Sequence, residues 1–243
     1  MRALFRYLLA LAALLAIWQI GSLALGEFLL PRPLDVLAYF GEHAGASAWR
    51  VLSAMSLAWL VAFPLGLILG HVRSVDNTLS PMVFLTYPLP KIVLLPLFLT
   101  LFGLGDLPRV LLIALTTGYQ ILVVTRASAQ GLDKKYLDSF RSLGGTPMQM
   151  LRHVLIPAAL PDAMTALKVA SGTAVAVLFM AESFATRRGL GFLIMDAWGR
   201  GDQLEMFTGI LAMSLLGVAL YELCNVLETR SCRWRNFHMA GKR

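Results

Sequence analysis

Few side chains in this sequence are equipped for chemistry, and those few keep unusual company. Lys91, Lys168, Glu182 and Glu222 are ionisable residues set in or beside long apolar runs. A charge in such a setting faces protein or a water-filled cavity rather than hydrocarbon, and marks a functional position by default. Lys91 is the most pointed case, because it follows Pro88 and Pro90 and precedes Pro96 within 79–102. Prolines break a helix by removing backbone donors, and irregular backbone at membrane depth persists only where it is buried in protein or lines a cavity. Pro88, Pro90, Lys91 and Glu182 are therefore the candidates for lining a path, with Lys91 suited by charge to attract an anion. The plainer alternatives are that Lys91 snorkels to an interface and that Glu182 pairs with an arginine such as Arg187 at the outer surface.

Enzyme chemistry has little to stand on. The chain lacks the phosphate-binding loop G-x-x-x-x-G-K-[ST] and the HExxH, GxSxG and CxxC patterns. Cys224 and Cys232 form no metal-ligand spacing. We assign no catalytic residue and no metal site. The four ionisable groups look scattered in depth, which argues against a membrane-embedded enzyme.

The elements that must position these residues are apolar. Hydrophobic residues make up 58% of 243, charged residues only 14%, and mean hydropathy is +0.70. A soluble domain is about a quarter charged, so the composition predicts an all-α, polytopic membrane protein. The net charge of +7 lies in short basic clusters between apolar runs, which fits retention at a membrane face and not nucleic-acid binding. Spans are expected at roughly 7–25, 51–72, 79–102, 109–124, 163–185 and 206–227, in one membrane domain covering 1–243. A bilayer core takes about 20 helical residues. An interfacial helix is expected at 34–42, a turn at Arg73–Asn77, and an external loop at 186–205. Gly66 and Gly70 form a small-xxx-small pair suited to close helix approach; a lipid-facing pair without a partner is the alternative. Arginines and lysines favour one side, 13 in the segments grouped with the termini against 6 in the others, so both termini are expected in the cytoplasm.

One long polar stretch, 126–161, interrupts this pattern on that cytoplasmic side. Asp133 can cap a helix that runs to Leu143, and Gly144-Gly145 can end it. Thr146, Pro147 and Gln149 match a capping box with proline at the first helical position. Tyr136, Phe140 and Leu143 are expected on one face, and Met148, Leu151 and Leu155 on one face of the second helix. Pro157 is expected to stop that helix and Pro161 to open the next span. Two short amphipathic helices at a glycine bend make a knob suited to a groove on a soluble partner, or to lying on lipid.

Asp138-Ser139-Phe140, then Gly144, then Val154-Leu155-Ile156-Pro157 resembles the signature of ABC importer permeases, Glu-Ala-Ala-x3-Gly-x9-Ile-x-Leu-Pro. Ser139 and Phe140 depart from the two alanines. Leu30-Pro31-Arg32-Pro33, Pro64-Leu65-Gly66, Pro90-Lys91-Ile92-Val93-Leu94-Leu95-Pro96-Leu97, Phe102-Gly103-Leu104-Gly105, Ala181-Glu182-Ser183 and Gly189-Leu190-Gly191 resemble the branch serving nitrate, sulfonates and taurine. The resemblance implies a type I ABC importer permease fold with cytoplasmic coupling helices, in an inner (plasma) membrane. It implies Asp138, Ser139, Phe140, Gly144, Val154, Ile156 and Pro157 as ATPase-coupling residues. It also implies two cytoplasmic ATPase subunits that hold the ATP and Mg, a second permease copy and an external solute-binding protein. The chain itself would carry no cofactor. The branch favours small anions and includes importers of vitamin precursors. An ion-gradient-driven secondary transporter is the rival class, although no internal repeat is evident.

Overall fold

The computed structural model describes residues 2–26, 32–33 and 43–234. Every regular element among them is helical: α1 Arg2–Leu25, α2 His43–His71, α3 Arg73–Thr86, a 3₁₀ turn Lys91–Leu94 and α4 Leu95–Phe102. There follow α5 Asp106–Gln130, α6 Lys134–Ser142, α7 Pro147–Met150, a π turn Leu151–Leu155, α8 Ile156–Glu182, α9 Leu190–Arg200 and α10 Gln203–Ser231. Four helical runs are long and apolar enough to cross a membrane, and a fifth span results when the bent pair α3 and Lys91–Phe102 is taken together. With the 24-residue α1, these account for the six apolar segments of the sequence. The expected interfacial helix at 34–42 lies outside the described residues, as does the basic tail beyond Trp234.

The chain forms two compact units. One contains 1–48 and 182–216, and the other contains 49–181 and 217–243. The larger unit is organised by a seam of small residues. A side chain at Gly70 would stand 2.4 Å from Ala129 Cβ and 2.8 Å from Arg126 O, and one at Gly66 would stand 2.7 Å from Thr125 Cβ. One and two turns earlier, Ala62 and Ala58 lie 3.8 Å from the position a side chain would take at Gly118. Residues 58, 62, 66 and 70 recur every four positions and so share one face of α2. The glycine pair thus has a partner, α5, and the backbones approach as small residues permit. Below the seam, Leu67, Ala129 and Ala159 form a buried cluster, with Phe63, Leu151 and Ile156 packed on it.

Several expected boundaries move. The second span begins at His43 instead of Val51, because nothing in 43–50 interrupts helical hydrogen bonding once the apolar run has started. Arg73–Asn77 is the first turn of α3 and not a loop. Its Asp76 sits where the helix dipole favours an acid, and it accepts Arg126 Nε at 2.6 Å and Nη2 at 2.8 Å. Ser80 and Gln130 donate to the same carboxylate. Arg126 to Gln130, expected in the polar stretch, therefore belong to the last turns of α5. The segment 186–205, expected to be an external loop, contains α9. Arg50 and Arg109, two of the six basic residues counted on the side away from the termini, are helical and buried. Arg50 pairs with Asp106 at 2.7 Å, and Arg109 donates to the carbonyls of Leu104, Gly105 and Ala181.

The largest correction concerns the prolines of the fifth span. Pro157 does not stop a helix and Pro161 does not open one, since helical structure is continuous from Pro147 to Glu182, 36 residues. Proline in a helix clashes with the carbonyl four residues earlier. For Pro157 that carbonyl belongs to His153, inside the π turn, whose wider winding relieves the clash.

Candidate functional site

The polar knob is built by local rules that can be followed atom by atom. Asp133 caps α6, its side chain accepting from Lys135 N–H at 3.0 Å. At the other end, Gly145 N–H bonds Phe140 O at 3.2 Å and Gly144 N–H bonds Arg141 O at 2.9 Å. This is a Schellman closure, with Gly144 at φ +78° in the left-handed region that a side chain disfavours. Gly145 has a separate reason to be glycine: a side chain there would stand 2.1 Å from the Phe140 ring. Phe140 thus folds back over the bend. Thr146 opens α7 with both halves of the capping box, Gln149 N–H to Thr146 Oγ1 at 3.3 Å and Thr146 N–H to Gln149 Oε1 at 2.9 Å.

The faces differ from those expected. Tyr136, Leu143 and Met148 are strongly exposed, Leu143 at 87%. Leu155, expected on the face of Met148, is buried, as is Met150. The π turn adds a residue to the winding and re-aims everything after it. The seven expected coupling residues consequently fall into three groups. Asp138 and Ser139 are exposed on α6, with Asp138 3.7 Å from Arg141. Phe140 and Gly144 shape the bend. Val154, Ile156 and Pro157 are half-buried at the root, with Ile156 packed on the Leu67, Ala129 and Ala159 cluster.

In the same unit, the proline-rich span is broken by 87° between α3 and Lys91–Phe102. Pro88 and Pro90 lie in the break. Lys91 Nζ donates to Thr86 O at 3.1 Å and to Tyr87 O, and lies over the rings of Tyr119 and Tyr87 at 4.3 and 5.2 Å. Beside the break is an apolar cavity of about 510 Å³, walled by α2 and α5 and by Val83 and Phe98 from the two arms. Lys168 pairs with Glu228 of α10, which also accepts from Thr165 Oγ1 at 3.1 Å. Glu228 escaped the sequence reading because it lies just past the apolar run; its signal is the buried side of the helix that carries it.

In the smaller unit, Glu182 is wholly buried. Its carboxylate accepts from Ser47 Oγ at 2.7 Å and from Gly191 N–H at 3.0 Å, while Leu190 N–H donates to Ser47 Oγ at 2.8 Å. Gly189, at φ +126°, would put a side chain 2.4 Å from the carboxyl carbon of Glu182. Glu182 thus sits at the start of α9, whose free N–H groups and dipole favour a negative charge. His43 Nδ1 accepts from Gly189 N–H at 3.1 Å and its ring stacks on Phe192. Ala181-Glu182-Ser183 and Gly189-Leu190-Gly191, separate in sequence, are one construction. Ser47 and His43 are residues the sequence reading missed, because they precede the apolar run of their helix. Among the described residues no cluster of potential metal ligands occurs.

A broken apolar span and a capped polar knob accord with one class of protein, the permease subunits of importers, and similarity to known proteins shows that class. The chain belongs to the family of binding-protein-dependent transport system inner membrane components, whose profile matches residues 62–231. It is 28% identical to the putative aliphatic sulfonates transport permease protein SsuC of Bacillus subtilis, covering 94% of this chain and 87% of that protein. It is 29% identical to the taurine transport system permease protein TauC of Escherichia coli, covering 92% and 87%. The formylaminopyrimidine transport permease protein ThiX of Halalkalibacterium halodurans is 25% identical, covering 91% and 92%. The fold matches a chain of the MetNI methionine ABC transporter in an inward facing conformation, with TM-score 0.68, 18% identity, and 80% and 95% of the two chains covered. The expected fold, an ABC importer permease, is the observed one.

Proposed function

We propose that this chain is the membrane-spanning subunit through which a small organic anion of the sulfonate class is imported, driven by ATP hydrolysis in a separate cytoplasmic subunit. Two copies pair in the inner membrane, with both termini in the cytoplasm. Each seats its α6–α7 knob in one of two ATPase subunits, which hold the ATP and Mg, and an external binding protein delivers the solute. The observation that carries this reading is the knob itself. Capped at Asp133 and Thr146 and closed at Gly144, it holds Tyr136, Leu143 and Met148 outward at 65%, 87% and 71% exposure. Apolar side chains presented on a rigid turn suit a groove in a partner protein. Asp138, Ser139 and Phe140 meet the ATPase or shape what it meets, and Val154, Ile156 and Pro157 pass the motion into the core. The broken span with Pro88, Pro90 and Lys91 borders the path, and Glu182 shapes the outward end of the fifth span.

The sulfonate class is supported by SsuC and TauC. A neutral or cationic vitamin precursor is the second reading, favoured by ThiX. Reconstitution in vesicles with the ATPase and the binding protein tests the mechanism: uptake requires ATP and both partners, and uptake that persists without the ATPase overturns it. Mass spectrometry of the solute retained by the binding protein decides between an organic sulfonate and a pyrimidine.

A further inference from the structure

The break in the third span takes the backbone carbonyls of Thr86 and Tyr87 out of regular helical pairing, and Lys91 donates to both. In a continued helix Thr86 O would accept from the N–H of residue 90, but residue 90 is proline and has none. Leu89 N–H reaches Thr86 O at 3.2 Å across a tighter turn. Lys91 Nζ then donates to the same oxygen at 3.1 Å and to Tyr87 O beside it. The remaining surface of the ammonium is met by aromatic faces, Tyr119 at 4.3 Å and Tyr87 at 5.2 Å from the ring centres. Tyr119 belongs to α5, and its hydroxyl shares a 2.8 Å hydrogen bond with Thr86 Oγ1. One ring therefore holds the end of α3 and faces the cation at the same time. An ammonium has three N–H donors. Two are committed to carbonyls, and the rings attract the charge that is left.

We propose that Lys91 is a positioning residue that pins the 87° break, and that it does not bind the transported solute. Its charge is used inside the bend, where it replaces the donor that Pro90 lacks. Its effect is to set the angle between α3 and α4, and with it the apolar cavity that Val83, Phe98 and Tyr119 line. Transport then depends on Lys91 through geometry, equally for an anionic and a neutral solute.

The test is a distance measurement on the intact transporter with its ATPase in nanodiscs. Spin labels are placed at Met82→Cys on α3 and Leu101→Cys on α4, 64% and 65% exposed, in a background of Cys224→Ala and Cys232→Ala. With Lys91 present, the label-to-label distance is narrowly distributed. In Lys91→Met the distribution broadens by about twofold and ATP-driven uptake at saturating solute falls by about tenfold, as expected for loss of charge-assisted hydrogen bonds. Lys91→Arg, which keeps donors for both carbonyls, restores the narrow distribution. Should Lys91→Met fail to reach the membrane, Tyr119→Leu, which strips the ring from the cation and the bond from Thr86, carries the same readout and broadens the distribution too. An unchanged distribution in both variants overturns the proposal. So does a selective rise in the concentration of an anionic solute needed for half-maximal uptake, with the distances unaltered. The distances are read without transport, so failure of the importer mechanism registers separately, as uptake that does not need ATP.

Discussion

Phe140 takes its meaning from Gly145. Against the family signature it is the misfit, a bulky ring where alanine is usual, and yet its ring occupies the space that a side chain at Gly145 would fill. Gly145→Val should therefore force the ring off the bend and reduce ATP-driven uptake by about tenfold, while Gly145→Val combined with Phe140→Ala recovers most of it. Uptake measured for both singles and the double, as a mutant cycle, checks the coupling; additive losses count against it. Gly144 is constrained differently, by φ +78°. A β-branched residue there costs about 1–2 kcal/mol, so Gly144→Val should insert normally but uncouple uptake from ATP hydrolysis. The caps at Asp133 and Thr146 and the need for Gly144 were legible in the sequence, because capping and left-handed termini are local rules. The Phe140–Gly145 contact was not, because the signature leaves the position of Gly145 open and gives no sign that its glycine makes room for the ring at Phe140. Glu182 is a similar case. Its unusual setting was legible but its burial was not, because its partners lie on a glycine loop and on the pre-apolar turns of α2, out of reach of a spacing argument. Gly189→Ala should lower thermal stability by more than about 2 kcal/mol, read as a drop in Tm, because it strains φ +126° and drives a methyl into the carboxyl group.

At the scale of elements, the seam between α2 and α5 sets how the larger unit packs. Gly70→Leu would place its side chain on Ala129 and on the Arg126 carbonyl. Overpacking of this kind costs about 1–3 kcal/mol. The loss should appear as a lower Tm for the purified protein, whereas Gly118→Ala, where the neighbours stand at an ordinary contact distance of 3.8 Å, should leave Tm unchanged or raise it slightly. The same displacement would pull Arg126 from Asp76, the clamp that joins the start of α3 to the end of α5 just before the knob begins. Element existence was readable from apolar runs and their length. Element ends were not, because an apolar run records what lipid must touch, whereas a helix continues until a cap, a glycine or a lost donor stops it. Pro157 shows the converse error. Proline alone does not decide a break, since Pro64, Pro81 and Pro161 also lie inside helices, and no residue in Leu151-Arg152-His153-Val154-Leu155 announces a π turn.

For the whole molecule, the expected orientation can be read directly. Ser139→Cys, exposed on α6, should react with an impermeant maleimide only from the cytoplasmic side, in the Cys224→Ala and Cys232→Ala background; labelling from outside reverses the topology. Both native cysteines are buried, so the unmodified protein should label slowly. The family was legible because its signature is a set of spacings that survive substitution, and those spacings are what the fold uses. The solute was not legible, since the ionisable residues that stand out within the apolar runs, Lys91, Lys168 and Glu182, are each held by partners inside the protein. The π turn has one more consequence. It adds a residue to the winding between the exposed knob and the buried rod that follows, and a helix advances about 100° per residue. Where a residue is lost or gained therefore sets the phase. Removing His153, exposed within the turn, should return the segment to ordinary winding with Leu143 and Met148 facing as they do, because the wide turn is what absorbs the added residue, whereas removing Ala158 from the ordinary helix just after it should swing them by about 100° relative to the rest of the rod.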